Sequence, residues 1–87
     1  MSQSSQPAFT PRQGQFLAFI YYYTKVNGLP PAESDMQRYF HLTAPSVHAM
    51  VKNLEAHGLI ARTPGVGRAR GRSIRLLVAK DVLPELE

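Results

Sequence analysis

The chain of 87 residues contains no cysteine, so it can hold no disulfide frame, no thiolate zinc site and no thiol nucleophile. It also lacks any run of roughly 18 apolar residues, the minimum for crossing a bilayer. Its start, Met1-Ser-Gln-Ser-Ser-Gln-Pro, has neither the basic region nor the apolar core of a signal peptide. These absences lead us to expect a soluble cytoplasmic protein with no membrane partner. Length sets a further bound, since a chain this short buries roughly 60 to 65% of its unfolded surface and has no room for a second core. A deep enzymatic pocket is therefore not expected. Acid is missing as well, but only locally: from Leu59 to Lys80 there is no carboxylate, while Arg62, Arg68, Arg70, Arg72, Arg75 and Lys80 all fall in that stretch. The whole chain carries a net charge of +4, so the positive charge is concentrated in one segment and the remainder is close to neutral. Undiluted positive charge of this kind suits a polyanion, most commonly duplex phosphate.

Apolar content of 44% and charged content of 18% are those of a folded domain. Residues 1–8 form a Ser/Gln-rich tail without apolar periodicity. Thr10-Pro11 offers an N-cap followed by a proline at the first helical position, where its missing N–H costs nothing. Phe16, Ile20, Tyr23 and Thr24, broadened by Leu17 and Phe19, make the stripe of a first helix that Asn27-Gly28 terminates, with Gly14 a weak point near its start. The run Tyr21-Tyr22-Tyr23 points three ways, so at least one ring must be partly exposed. Pro30-Pro31 stiffens a connection to a short second helix over about Ala32 to Phe40, with Met36, Tyr39 and Phe40 on one face. Thr43 is placed to cap a third helix that carries Pro45 harmlessly in its first turn and ends at Gly58. Val47, Met50, Val51 and Leu54 form its apolar face, leaving Pro45, Ser46, His48, Ala49, Lys52 and Asn53 outward or flanking. Two β-favouring runs, Leu59 to Thr63 and Ser73 to Val78, flank the arginine-rich, glycine-containing loop. The expected fold class is mainly α with a small β-hairpin: three helices and a two-stranded antiparallel wing over residues 9–79. Residues 80–87 follow as a C-terminal tail, either a linker or a docking end.

In this order and spacing, five segments resemble the N-terminal winged helix-turn-helix DNA-binding domain of the LexA repressors and, more distantly, MarR-type regulators. They are Phe9-Thr10-Pro-Arg-Gln13, Asn27-Gly28-Leu-Pro-Pro31, Ser46-Val-His48 with Leu54-Glu55, Gly58-Leu-Ile60, and Ile74-Arg-Leu-Leu77. The resemblance implies a repressor that binds a palindromic operator as a homodimer, associated with the nucleoid. It maps the base-reading positions to Pro45, Ser46, His48 and Ala49, with Asn53 as an additional reader. Full LexA repressors add a self-cleaving Ser/Lys protease domain, which has no counterpart in these 87 residues, so the chain is expected to be a stand-alone regulator or a domain of one. The arginine-rich segment also exceeds the family's usual wing in length and arginine content.

The residue chemistry fits these roles. Ser46 can donate or accept, His48 can use either ring nitrogen, Ala49 can pack on a thymine methyl, and Pro45 adds apolar contact. Thr43, Lys52, Arg62, Arg68, Arg70, Arg72 and Arg75 are the expected phosphate or groove contacts. A helix N-terminus at the groove would add backbone N–H groups and a positive dipole end. Other chemistries fail on spacing. His41 and His57 lack ligand partners and are expected to be surface or capping residues, so no metal and no other cofactor is implied. Ser46 and His48 lie about 200° apart around a helix and cannot act as a nucleophile pair. Gly65 to Ser73 superficially resembles a phosphate loop, but no Gly-Lys-Ser/Thr follows and it opens no helix. Neither an enzyme nor a small-molecule binder is indicated. Two rival functions remain: a protein-docking module using the first helix's aromatics and Val82-Leu83-Pro84, and a sequence-blind architectural DNA binder.

Overall fold

The computed structural model describes residues 9–62 and 74–87. Its elements run α1 (Pro11–Asn27), α2 (Glu33–Phe40), α3 (Ala44–Ala56), β1 (Ile60–Arg62) and β2 (Ile74–Leu76), followed by a 3-10 turn at Lys80–Val82. The two strands pair antiparallel, with Ile60 opposite Leu76 and Arg62 opposite Ile74. Three helices followed by a two-stranded wing make a winged helix-turn-helix, the expected fold class.

Local chemistry explains where each helix starts and stops. Thr10 accepts a hydrogen bond from the Gln13 amide while the Gln13 side chain accepts from the Thr10 amide, a reciprocal capping box at the start of α1. Gly28 ends α1 in the left-handed region at φ 79°, where a side chain would be strained. The second helix begins at Glu33, one residue later than the pattern suggests, because Ala32 supplies no side-chain cap and Asp35 instead accepts from its backbone amide at 2.8 Å. His41 closes α2 at φ 57° and His57 closes α3, so both histidines are C-caps, as expected. Gly58, at φ 72°, turns the chain into β1.

Phe16, Leu17, Ile20, Met36, Val47, Val51, Leu54, Leu59 and Ile60 are almost fully buried and form the core with Ile74 and Val78. The middle of α1 is covered on nearly every side, since Phe16 through Ile20 are all buried. That is wider than a single amphipathic stripe, which a period-3.6 reading cannot anticipate. Thr24, placed on the stripe by its spacing, is exposed and returns its hydroxyl to the Ile20 carbonyl at 2.7 Å. Of the three tyrosines, Tyr22 is the exposed ring, edge-on to Tyr21. Gly14 is less a weak point than a close-approach site, because a Cβ there would come within 3.0 Å of the Phe9 ring and 3.1 Å of Pro84.

That last contact shows where the chain end goes. Val82, Leu83 and Leu86 pack against the core, Gln15 donates to the Glu85 carbonyl at 2.8 Å, and Tyr39 donates to the Glu87 carbonyl. The apolar side chains at 82 and 83, which a docking module would present to a partner, are directed against the chain's own core.

Candidate nucleic-acid interface

The third helix is held by its apolar side: Val47, Val51 and Leu54 have no exposed surface. With those three facing inward, geometry leaves Pro45, Ser46, His48, Ala49, Lys52 and Asn53 exposed, which brings all five expected base readers and Lys52 onto the surface of one helix. Thr43 caps the helix, accepting from the Ser46 amide at 3.3 Å and donating to the Ser46 hydroxyl at 3.0 Å. The Val47 amide goes to the Thr43 carbonyl at 3.0 Å. Since Pro45 has no N–H, Ala44 is the one first-turn residue whose amide Thr43 does not engage. The helix end therefore offers an incoming anion fewer open donors than a bare N-terminus would. Losing this cap should be measurable: Thr43→Ala is expected to lower stability by about 1 kcal/mol, read from the shift of the urea midpoint at unchanged slope.

Two expected readers have partners that the sequence does not advertise. Asn53 Oδ1 accepts from Gln13 Nε2 at 2.5 Å, and the same Gln13 builds the α1 capping box with its oxygen. A bidentate grip on adenine needs both ends of an asparagine amide, so with one lone pair of its oxygen on Gln13, the Asn53 amide is held in an orientation set by the protein while its NH₂ stays open to a base. His48 Nδ1 stands 3.3 Å from both carboxylate oxygens of Glu33, and Arg62 Nη1 stands 3.3 Å from Glu33 Oε2. One carboxylate from the first turn of α2 thus connects the outward face of α3 to the base of the wing. These groups are only partly buried, so the network contributes little to stability, at most about 1 kcal/mol per pair. Its weight lies in orientation.

Glu33 is the functional candidate that sequence reading missed. An acid in the first turn of a helix is explained sufficiently by the macrodipole, and Glu33 lies 15 positions from His48 and 29 from Arg62. No local spacing rule joins such residues.

Among the described residues the remaining cations are scattered. Arg75 is exposed in β2, opposite Ala61. Arg68, Arg70 and Arg72 lie outside the described residues, as do the glycines at 65, 67 and 71. Arg12 sits over the Phe16 ring at 5.9 Å and Lys25 over Tyr21 at 5.6 Å. Elsewhere, a groove of about 580 Å³ runs between α1 and β2, lined by Ile20, Tyr21, Pro30 and Leu76 among others. Arg75 lines it but no residue of α2 or α3 does, so it lies apart from the outward face of α3. Among the described residues no helix is long and apolar enough to cross a membrane.

Ser46 and His48 are each engaged with a different neighbour, Thr43 and Glu33, and do not face one another as a nucleophile and base would. What the arrangement offers is a convex, small and polar helix face beside a strand pair that flanks a dense run of arginine. No curated protein matches the chain. The model of the LexA DNA binding domain, however, matches residues 6–70, through all three helices and β1 and on into the arginine-rich segment, and the chain belongs to that family of DNA-binding domains.

Proposed function

We propose that the chain binds duplex DNA sequence-selectively and represses transcription, two copies engaging the halves of a palindromic operator. The observation that carries this reading is the outward face of α3: in a domain of a DNA-binding family, Pro45, Ser46, His48 and Ala49 are all exposed, and each is small or polar. In this reading Ser46, His48 and Ala49 meet base edges in the major groove, Pro45 adds apolar contact, and Asn53 contributes an amide donor. Thr43, Lys52, Arg62, Arg68, Arg70, Arg72 and Arg75 contact phosphate or the adjacent groove, with Arg68, Arg70 and Arg72 among those that neutralise phosphate.

The centre of the face, Pro45, Ser46, His48 and Ala49, has no arginine, asparagine or glutamine, side chains that grip a base with two hydrogen bonds. Base discrimination from α3 is accordingly modest, and phosphate contacts supply much of the affinity.

Fluorescence anisotropy of a random-sequence duplex, combined with recovery of bound sequences from a pool, tests the proposal. About four phosphate contacts give a log–log salt slope of roughly −3.6, so affinity should fall about 150-fold between 50 and 200 mM salt. A symmetric motif should be enriched. Salt-sensitive binding without enrichment would replace this reading with a sequence-blind architectural role, and no binding at the lower salt would refute it. Ser46→Ala and His48→Ala should each change the recovered motif at one position per half-site while keeping the salt slope. An unchanged motif would remove that residue from the set of readers.

A further inference from the structure

Glu33 does more than complement a helix dipole. We propose that it is a specificity-determining positioning residue, which fixes the tautomer of His48 and so selects the base edge that the ring can read. The proposal rests on the reading of His48 as a base-contacting residue and extends it to the hydrogen-bonding character of its target.

The chemistry starts from the carboxylate. An ionised Glu33 has no proton to give, so any hydrogen bond at its oxygens must be donated to it. Both oxygens lie 3.3 Å from His48 Nδ1, and it is this nitrogen that meets the carboxylate. Nδ1 therefore carries the proton. In a neutral imidazole one nitrogen donates and the other accepts, and the partner of the first decides the role of the second. Nε2 is left with a lone pair, on a side chain that is 57% exposed. A lone pair facing the major groove accepts from an exocyclic amine, which only adenine N6 and cytosine N4 present there; guanine O6 and N7 are acceptors and would repel it. Glu33 thus steers the neutral His48 ring toward adenine or cytosine and away from guanine.

The position of Glu33 suits this task. It is the first residue of α2, an element that does not itself present the outward α3 face, and it is 23% exposed. Arg62 Nη1 holds Oε2 from the wing side at 3.3 Å. The carboxylate is thereby held from two elements, α3 and β1. Arg38, the cation of the same helix, is occupied by Asp35 at 2.6 Å.

Nitrogen-15 NMR of the full chain, recorded without DNA in mildly alkaline buffer where free imidazole is neutral, reads the tautomer of His48 directly. Wild-type protein should show the proton on Nδ1, and in Glu33→Ala the ring should become a mixture of both tautomers. Sequence recovery then reads the consequence. The half-site position whose preference vanishes in His48→Ala should be adenine or cytosine on the contacted strand for the wild type. In Glu33→Ala that preference should fall at least several-fold toward guanine, with neighbouring positions unchanged. Glu33→Gln keeps the shape of the side chain but can present either an oxygen or an amine to the ring, so it should relax the same position and guard against any folding defect in the alanine variant. A wild-type ring protonated on Nε2, or a Glu33→Ala motif identical to wild type, would overturn the proposal. Failure of the wild type to bind any duplex is a different result: it would remove the DNA-binding reading and with it the specificity role, whatever the tautomer.

Discussion

Replacing Arg68, Arg70 and Arg72 together by alanine is expected to weaken binding to every duplex alike by about two to three orders of magnitude at 0.1 M salt. The figure follows from counterion release. Each neutralised phosphate adds roughly 0.9 to the magnitude of the log–log salt slope and so about 0.9 decade of affinity at 0.1 M relative to 1 M, which makes about 2.7 decades for three contacts. The slope itself should flatten by about 2.7. The three arginines lie outside the described residues, and the expectation rests on their charge: no acid occurs between Leu59 and Lys80 to neutralise them. The recovered motif should persist, weakened, because phosphate contacts hold the protein in place without reading sequence. Thermal unfolding of the triple variant should match wild type, which separates lost contacts from lost fold. Undiminished affinity with an unchanged slope would show the arginine-rich segment to be a solvated loop, and would redirect attention to the protein-docking alternative.

The second large effect concerns the core. Phe16→Ala should cost about 3 to 5 kcal/mol, the usual loss for truncating a buried aromatic. Phe16 has no exposed surface, and its ring stacks on Phe40 at 4.2 Å between centroids and 11° between planes. One substitution would thus remove the stacked contact between α1 and the end of α2, leaving Phe19 against Tyr39 and Phe40. A domain of this size has on the order of 4 to 13 kcal/mol in total, so the variant should be marginal, with Tm lowered on the order of 20 °C. Tyr22→Ala is the control: that ring is 43% exposed, and its removal should cost well under half as much. Equal losses at the two positions would mean that the described core does not carry the stability of the domain. Because Phe16 is a buried core residue and no part of the proposed DNA-binding surface, any binding defect in its alanine variant should disappear at temperatures where the variant is fully folded.

Much of the fold is legible in the sequence because local rules act over a few residues. Thr10-Pro11, Asn27-Gly28 and Thr43 with Pro45 bracket helices through backbone donors and acceptors that must be satisfied within one turn. The face of α3 is legible for the same reason. Once Val47, Val51 and Leu54 must be buried, the 3.6-residue period leaves Ser46, His48 and Ala49 outside. The excess of arginine is plain in composition alone, and four of the five segments that resemble the family lie within the matched residues 6–70.

Relations across the chain depend on the packing of whole elements. Gln13 meets Asn53 across 40 positions of sequence, and Glu33 meets both His48 and Arg62, because α1, α2, α3 and β1 converge at angles that no periodicity encodes. The same holds for residues 82–86, whose apolar side chains read equally well as a linker or a docking end until the core beside α1 is assembled around them. By itself, then, the sequence determined the element order, the caps, the exposed helix face and the concentration of charge, all of which arise from contacts within a turn or from simple counting. Only the tertiary structure decided which polar groups on that face are already partnered, since hydrogen bonds between distant segments exist only after the apolar surfaces beneath them have packed.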